Sequence, residues 1–486
     1  MKRRAAALIA ALLAGCTVGP DYERPDVSMP GGYAEAGAAD ALSDAELAAW
    51  WRKFGDPLLS SLVERALTQN LDINAAAARI REARGLEGVA GAARLPEVAG
   101  QASVTRQRIS ENAIPVPPGP GGGGGAGTFG ILGSEFTTFR VGFDAAWELD
   151  LFGRNRRERE AAAARTGAAI WSARDTQVSI AAEVARVYFR LRSARERYRN
   201  AEAESVRAAR LERLFAARAA GGLINSEEVR RLQAERSAAA AVLPAIRAEI
   251  DTETHALGVL VGAGPAAFAS GLHLPPATAA ESVTIPAGLP SDLLRRRPDI
   301  RAAERELAAA TADIGVAVAD LYPRISLTAA PTLVSTALGS LLEWGSRAFT
   351  AGAALDWPLF DGGRRRANVE VHSSRGEQAL IAYRKAILNA LQDVEDALSR
   401  VEGDRGRLQQ LEGALIGASA AEDLAESRYR GGLVTYSDVL VAQGRRLSLE
   451  EELIEARGAL AQDTVALVKA LGGGWPEAAQ QAETQS

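Results

Sequence analysis

Arg218-Ala219-Ala220-Gly221-Gly222-Leu223, followed by Val229, Gln233 and Arg236, returns as Arg428-Tyr429-Arg430-Gly431-Gly432-Leu433, followed by Val439, Gln443 and Arg446. The offset is about 210 residues, far longer than a solenoid period, so it marks a duplicated half rather than a stacked array. Other landmarks repeat in the same order. Asp72-Ile73 answers Asp299-Ile300, Gly88-Val89-Ala90 with Pro96 answers Gly315-Val316-Ala317 with Pro323, and Leu151-Phe152 answers Leu359-Phe360. The drift in offset leaves roughly 19 extra residues in the first half, between Pro96 and Leu151. Pro115-Val116-Pro117-Pro118-Gly119-Pro120 and the glycines at 121–125 account for them. Such a stretch packs no core and reads as an exposed loop.

Outward from each Gly-Gly-Leu lie long helices. Ile180, Val184, Val187, Leu191, Ala194 and Tyr198 alternate by four and three, as a coiled-coil seam does. Ile387, Leu391, Val394, Leu398, Val401, Leu408 and Leu415 repeat it. Helix over 154–217 and 363–428 spans about 95 Å. Shorter helices over 226–262 and 437–471 return alongside, and helices over 56–93 and 291–321 supply the remaining length. Glycine after a last helical turn takes the left-handed conformation, so both Gly-Gly-Leu segments end helices.

The period changes to two between 137 and 150. Phe139, Val141, Phe143, Ala145, Trp147 and Leu149 share one strand face, and Arg140, Gly142, Asp144, Glu148 and Asp150 the other. Val98 to Val104 is its weaker partner. Arg324 to Val334 and Phe349 to Phe360 alternate in the second half, with Ile325, Leu327, Ala329, Phe349, Leu355, Trp357 and Leu359 as the apolar set. Each half therefore gives one hairpin, near 97–150 and 323–360, and about four strands in all. Four strands close no barrel, because an open sheet in lipid leaves edge N–H and C=O groups unpaired. Barrels need about eight strands or more, and three copies supply about twelve. Asp144, Glu148 and Asp150 then either line a wet lumen or form a merely solvated face.

Lys2-Arg3-Arg4, the apolar run Ala5 to Leu13 and Leu13-Ala14-Gly15-Cys16 form a secretory signal over 1–15. The ending resembles a bacterial lipobox, which implies covalent lipid on Cys16 as the first mature residue. Thr17 after the cysteine implies delivery to the outer membrane. The plainer alternative is an ordinary signal peptide with a chance cysteine. Cys16 is the only cysteine, so no internal disulfide forms. Residues 16–55 read as a lipidated tether, and 56–486 as one unit with repeats at about 56–262 and 291–471.

The net charge of −5 and the sparse aromatics give no basic surface, so no nucleic-acid partner is expected. His255, His273 and His372 lack ligand spacing, so neither a metal site nor an enzyme is expected. The 121–125 glycines lack the Gly-Lys-Ser/Thr ending of a phosphate loop.

Three blocks carry a family resemblance: Cys16-Thr-Val-Gly-Pro-Asp-Tyr-Glu-Arg-Pro25, Gly288-Leu-Pro-Ser-Asp-Leu-Leu-Arg-Arg-Arg-Pro298-Asp299-Ile300-Arg-Ala-Ala-Glu304 and Pro358-Leu-Phe-Asp-Gly-Gly-Arg364. Trp50-Trp51 with Phe54-Gly55-Asp56-Pro57 adds to them. With these the chain resembles the TolC-type outer-membrane efflux proteins, in the lipidated branch related to OprM and the NodT-like factors. The resemblance implies a mainly helical homotrimer, with a twelve-stranded membrane β-barrel continuous with a periplasmic α-barrel. It implies a passive exit duct, joined by a periplasmic adaptor to an inner-membrane transporter, often of the resistance-nodulation-division type. By the same resemblance Gly221, Gly222, Leu223, Gly431, Gly432 and Leu433 form the adaptor-docking tips. Asp438 and Glu228, just beyond them, become candidates for an acidic ring at the periplasmic gate. A first-turn acid complementing the helix dipole is the alternative for both. Val441 stands where relatives place a second acid, and Val434 where some place an arginine. A type I secretion duct, a diffusion porin and a non-pore coiled-coil scaffold are the competing readings.

Overall fold

The computed structural model describes residues 17–34, 43–108, 110, 135–271, 283 and 285–475. The signal segment, Cys16, the 115–125 loop and His273 lie outside them. The elements run α1 (Asp44–Ala48), α2 (Pro57–Gln69), α3 (Leu71–Ala92), β1 (Glu97–Arg108), β2 (Glu135–Leu149), α4 (Arg154–Ala220), α5 (Ser226–Leu260), α6 (Pro265–Gly271), α7 (Leu293–Arg296), α8 (Pro298–Ala319), β3 (Arg324–Ser335), β4 (Arg347–Asp356), α9 (Arg364–Arg430) and α10 (Tyr436–Ala470). The described residues are mostly helical, with one small sheet. No described helix is long and apolar enough to cross a membrane. The chain groups into two compact units: Met1–Glu23, Ala83–Thr166 and Glu306–Ala379, and then the remainder.

The first unit holds the sheet, in the order β1-β2-β3-β4 and antiparallel throughout. Val98 faces Ala145, Trp147 faces Leu327, and Ile325 faces Leu355, so the apolar sets of all four strands share one side. β4 ends at Asp356, short of the expected Phe360, because Pro358 cannot donate to a ladder. Trp147 Nε1 donates to Arg94 O at 3.0 Å, and in the second half Trp357, two residues nearer its Leu-Phe pair, donates to Leu321 O at 3.3 Å. Each indole thus caps the turn leading from a helix into the sheet.

Residues 17–23 form no helix or strand, yet they are pinned. Val18 N donates to Phe152 O at 3.2 Å, and the buried Arg157 reaches Asp21 Oδ1 at 2.6 Å. Gly19, at φ +88°, lies so near Gly315 that a Cβ would stand 2.5 Å from its Cα.

In the second unit, Trp50, Trp51 and Phe54 are buried, Gly55 turns the chain at φ +64°, and Asp56 caps α2. Asp56 Oδ1 accepts from Leu58 N and Leu59 N, while Oδ2 accepts from Tyr188 Oη and from Arg192 at 2.7 Å. That bonding satisfies a carboxylate only 4% exposed. Burial, then the hydrogen bond to Asp56, pushes the Tyr188 hydroxyl pKa up.

The helices expected over 56–93 and 291–321 are each broken, at the same point of the repeat. Asn70 is extended; its Oδ1 accepts from Asp72 N and Ile73 N, and its Nδ2 donates to Leu260 O at 2.9 Å. At the second break Arg297 precedes Pro298, which disfavours helix for the residue before it. Arg297 donates to Ala470 O at 3.1 Å, the counterpart of Leu260 O. The helix ends meet tightly. Gly262 (φ +69°) and Gly472 (φ +79°) are left-handed, and a Cβ would stand 2.5 Å from Gln69 O or 2.9 Å from Arg296 O.

One layer breaks the repeat. Arg190 pairs with Glu253 at 3.0 Å and Arg400 with Asp463 at 3.3 Å, but Asp404 stands where the first half has buried Ala194. Asp404 Oδ2 is buried with no hydrogen-bond partner. Burial and the neighbouring Asp463 carboxylate push its carboxyl up to about 6, against the lowering influence of Arg407 and Arg400. The folded protein then holds a proton there that the unfolded chain releases at a lower pH. This contribution is full below about pH 4 and lost as pH rises through about 6. Asp404→Asn should therefore gain stability over wild type progressively between those limits, with a constant advantage above. Thermal unfolding followed from pH 4 to 8 checks it; a wild-type–variant difference independent of pH would refute it.

Candidate functional site

The turn after α4 is built from its last carbonyls. Gly221 N donates to Ala217 O, Gly222 N to Ala219 O and Leu223 N to Arg218 O at 3.0 Å. The turn after α9 repeats this, with Gly431 N to Ser427 O, Gly432 N to Tyr429 O and Leu433 N to Arg428 O at 2.9 Å. The pattern satisfies the orphan carbonyls of a helix end. Only the second glycine of each pair is left-handed, Gly222 and Gly432 both at φ +73°. A Cβ on Gly221 or Gly431 would meet nothing nearer than 3.4 Å, ordinary contact. The first glycine is therefore not demanded by the backbone. Leu223 and Leu433 are 75% and 76% exposed, an unusual position for leucine at a turn.

The two turns are locked to one another by side chains that the sequence pattern did not single out. Tyr436 packs its ring 5.7 Å from Phe215 and 4.9 Å from Tyr429, and Arg218 donates to Tyr429 Oη at 3.0 Å. Leu211, Phe215 and Leu232 form the small core beneath, with Ile224, Tyr436 and Leu440 against it. A sequence signal existed: aromatics at 429 and 436 flank the second turn, where the first has Ala219 and Ser226.

The acids just beyond the turns occupy equivalent places but bond differently. Asp438 Oδ2 accepts from Thr435 N at 2.8 Å and Thr435 Oγ1 at 2.7 Å, closing the first turn of α10. Those two bonds hold its carboxyl below the usual range. In the first half Asn225 takes the cap, accepting from Glu227 N at 3.2 Å, so Glu228 is released to pair with Arg231 at 3.0 Å. Val441 is 72% exposed. Both acids therefore serve their own helix starts within one chain. Among the described residues no group of acids, histidines or cysteines has the arrangement of a metal site.

The same duplicated plan is found in known proteins. The outer membrane efflux protein family model matches residues 62–263 and again 289–473. The pyoverdine export outer membrane protein OpmQ of Pseudomonas aeruginosa is 32% identical over 450 residues, spanning 91% of this chain and 90% of that protein. The toluene efflux pump outer membrane protein TtgI of Pseudomonas putida is 31% identical over 471 residues, 96% of each. The structure of the outer-membrane channel OprN is similar with a TM-score of 0.84 at 33% identity, over 95% of this chain and 100% of that one. A helical protein with one four-stranded sheet and a duplicated long hairpin, this chain belongs to the outer membrane efflux protein family and is the outer-membrane component of an efflux system.

Proposed function

We propose that three copies assemble into a passive exit duct, closing one twelve-stranded barrel in the outer membrane from three four-stranded sheets. The bare edges of the sheet carry the proposal. β1 and β4 each pair on one side only, and both are exposed along their whole length. In hydrocarbon each unpaired backbone group costs several kcal/mol, so the single sheet is no membrane structure. Two copies give eight strands, a barrel whose interior side chains fill. Three leave room for cargo. Energy then comes from an inner-membrane transporter of the resistance-nodulation-division type, reached through a periplasmic adaptor. Relatives named for pyoverdine export and toluene efflux argue for small molecules over a secreted polypeptide, and no chemistry is performed on the cargo.

The lipid on Cys16 fits the same picture. Arg156 donates to Thr17 Oγ1 at 2.8 Å and Val18 is bonded to Phe152, which fastens the residues after Cys16 to the helix end of β2. An acyl chain attached there enters the leaflet that the sheet already occupies. Native mass spectrometry of the detergent-solubilised full chain should give three copies, each heavier by a lipid that Cys16→Ala removes. A monomer or dimer would overturn the trimer, and an unshifted wild-type mass would overturn the anchor.

The Gly-Gly-Leu turns serve as the adaptor-docking tips in this reading, with exposed Leu223 and Leu433 as contact points. Gly221→Asp with Gly431→Asp places charge there without forcing a left-handed aspartate. Gly222→Asp, by contrast, adds about 1–2 kcal/mol of backbone strain. The Gly221/Gly431 pair should leave a folded trimer and abolish both adaptor crosslinking and efflux. Crosslinking and efflux at wild-type levels would sink the docking role.

Asp438, ionised through its bonds to Thr435, supplies three carboxylates to a ring in the trimer, which favours cations; Glu228, paired to Arg231, is the weaker member. Asp438→Ala should lower cation selectivity in single-channel recordings, and an unchanged conductance and selectivity would remove the ring.

A further inference from the structure

The strand register assigns every residue of the sheet to a side, and the charges on the apolar side are not scattered. Among the described residues of the strands, that side carries Arg106, Arg108, Glu135 and Arg347, and all four stand toward the loop ends, away from the helices. Arg106 bridges to Glu135 at 2.8 Å, and Arg108 opposes Glu135 in the register. Arg347 lies over the ring of Trp344 and donates from Nε to Trp344 O at 2.7 Å. The loop bearing Trp344 is firmly built: Ser335 and Ser340 hydroxyls bond at 2.8 Å, and Ser346 Oγ donates to Ser340 O at 2.6 Å. It presents Leu342 and Trp344, 82% and 78% exposed, with Glu343 between them. The helix ends of the same side are different in kind. There Trp147, Leu149 and Leu355 stand without a charge, and the Trp147 indole N–H is already spent on a backbone carbonyl.

A lipid-facing surface with neutral aromatics at one rim and arginines with an exposed tryptophan at the other faces two unlike leaflets. Guanidinium binds phosphate through paired, charge-assisted N–H bonds. Indole settles at the boundary of headgroup and acyl chain. We propose that Arg106, Arg108, Arg347 and Trp344 form a docking surface for a phosphate-bearing lipid of the outer leaflet. Among the described residues the three arginines outnumber the two carboxylates of that rim, Glu135 and Glu343, and the apolar strands below continue the surface for the acyl chains. This rests on the reading that the sheet crosses the outer membrane with its helix ends toward the periplasm.

The test uses the intact trimer in detergent, titrated with bisphosphorylated lipid A, with its fully dephosphorylated form and with phosphatidylcholine, and read by native mass spectrometry. Wild type should retain bisphosphorylated lipid A in preference to both others. Arg106→Gln, Arg108→Gln and Arg347→Gln together should weaken that retention about tenfold or more, through the loss of charge-assisted bonds to the lipid's two phosphates. Trp344→Ala alone should weaken it less. Equal retention of the dephosphorylated lipid or of phosphatidylcholine, or full retention by the triple variant, would overturn the proposal. Because the triple variant leaves the backbone pairing of every strand in place, its trimer mass reports on the barrel separately: an intact wild-type trimer without lipid preference refutes this surface alone.

Discussion

An unpaired strand edge is the constraint on which the rest of this protein depends. β1 and β4 are held from one side only, and the apolar side spanning all four strands is turned outward with nothing among the described residues to cover it. The bare edges are not tolerable in lipid, and so broad an apolar face is not tolerable in water. Burial and edge pairing have to come from further copies and from the bilayer. The two hairpins also have to be alike enough to succeed one another around a ring, and duplication supplies that likeness. Trp147 and Trp357, each bonded to the carbonyl that ends the preceding helix turn, hold both hairpins to their helices in the same way.

The same economy governs the helical unit. A 35-residue helix cannot lie beside the whole of a 67-residue one, so a second helix must continue it. Where α5 ends, its terminal carbonyl at Leu260 is taken by Asn70; where α10 ends, Ala470 O is taken by Arg297. A left-handed glycine, Gly262 or Gly472, brings the chain close enough that no side chain fits between. An amide in one half and a guanidinium in the other fill the same role. Arg297 adds ion pairs to Asp299 and Asp393 that Asn70 cannot make.

Much of this was legible in the residues because repetition and period are local properties. Alternation at 139–149 gave the strand and its faces, and the seam from Ile180 to Tyr198 gave the long helix. What escaped was long-range. Nothing near Asn70 says that its amide will meet a carbonyl 190 residues away. The break there is concealed because asparagine is tolerated inside a helical pattern until its side chain finds a better use as a cap. The end of β4 was overrun for a related reason: Trp357 and Leu359 keep the period of two across Pro358, beyond the last rung of the ladder at Asp356. At the turns the glycine pair was plain, but which glycine is left-handed was not, since both look alike in sequence. The lock of Tyr436 on Phe215 joins residues of different halves and leaves no periodic trace.

Duplication also shows where the halves have been allowed to diverge. Keeping the turn geometry, down to the same φ of +73°, while changing the capping residues after it separates the fold's requirement from something else. Thr435 needs Asp438 to complete its cap, whereas Asn225 caps alone and leaves Glu228 to an arginine. Asp404 beside Asp463 replaces a residue that is simply a buried alanine in the first half. Only the second change gives the second hairpin an ionisable group in a place that the first half fills without one. A partly buried carboxyl that its surroundings bias toward the protonated form is a poor way to glue two helices together, since Ala194 shows the apolar solution that fits. The stability lost through it as pH rises from about 4 to 6 falls on the second hairpin, at a layer where the first half loses none.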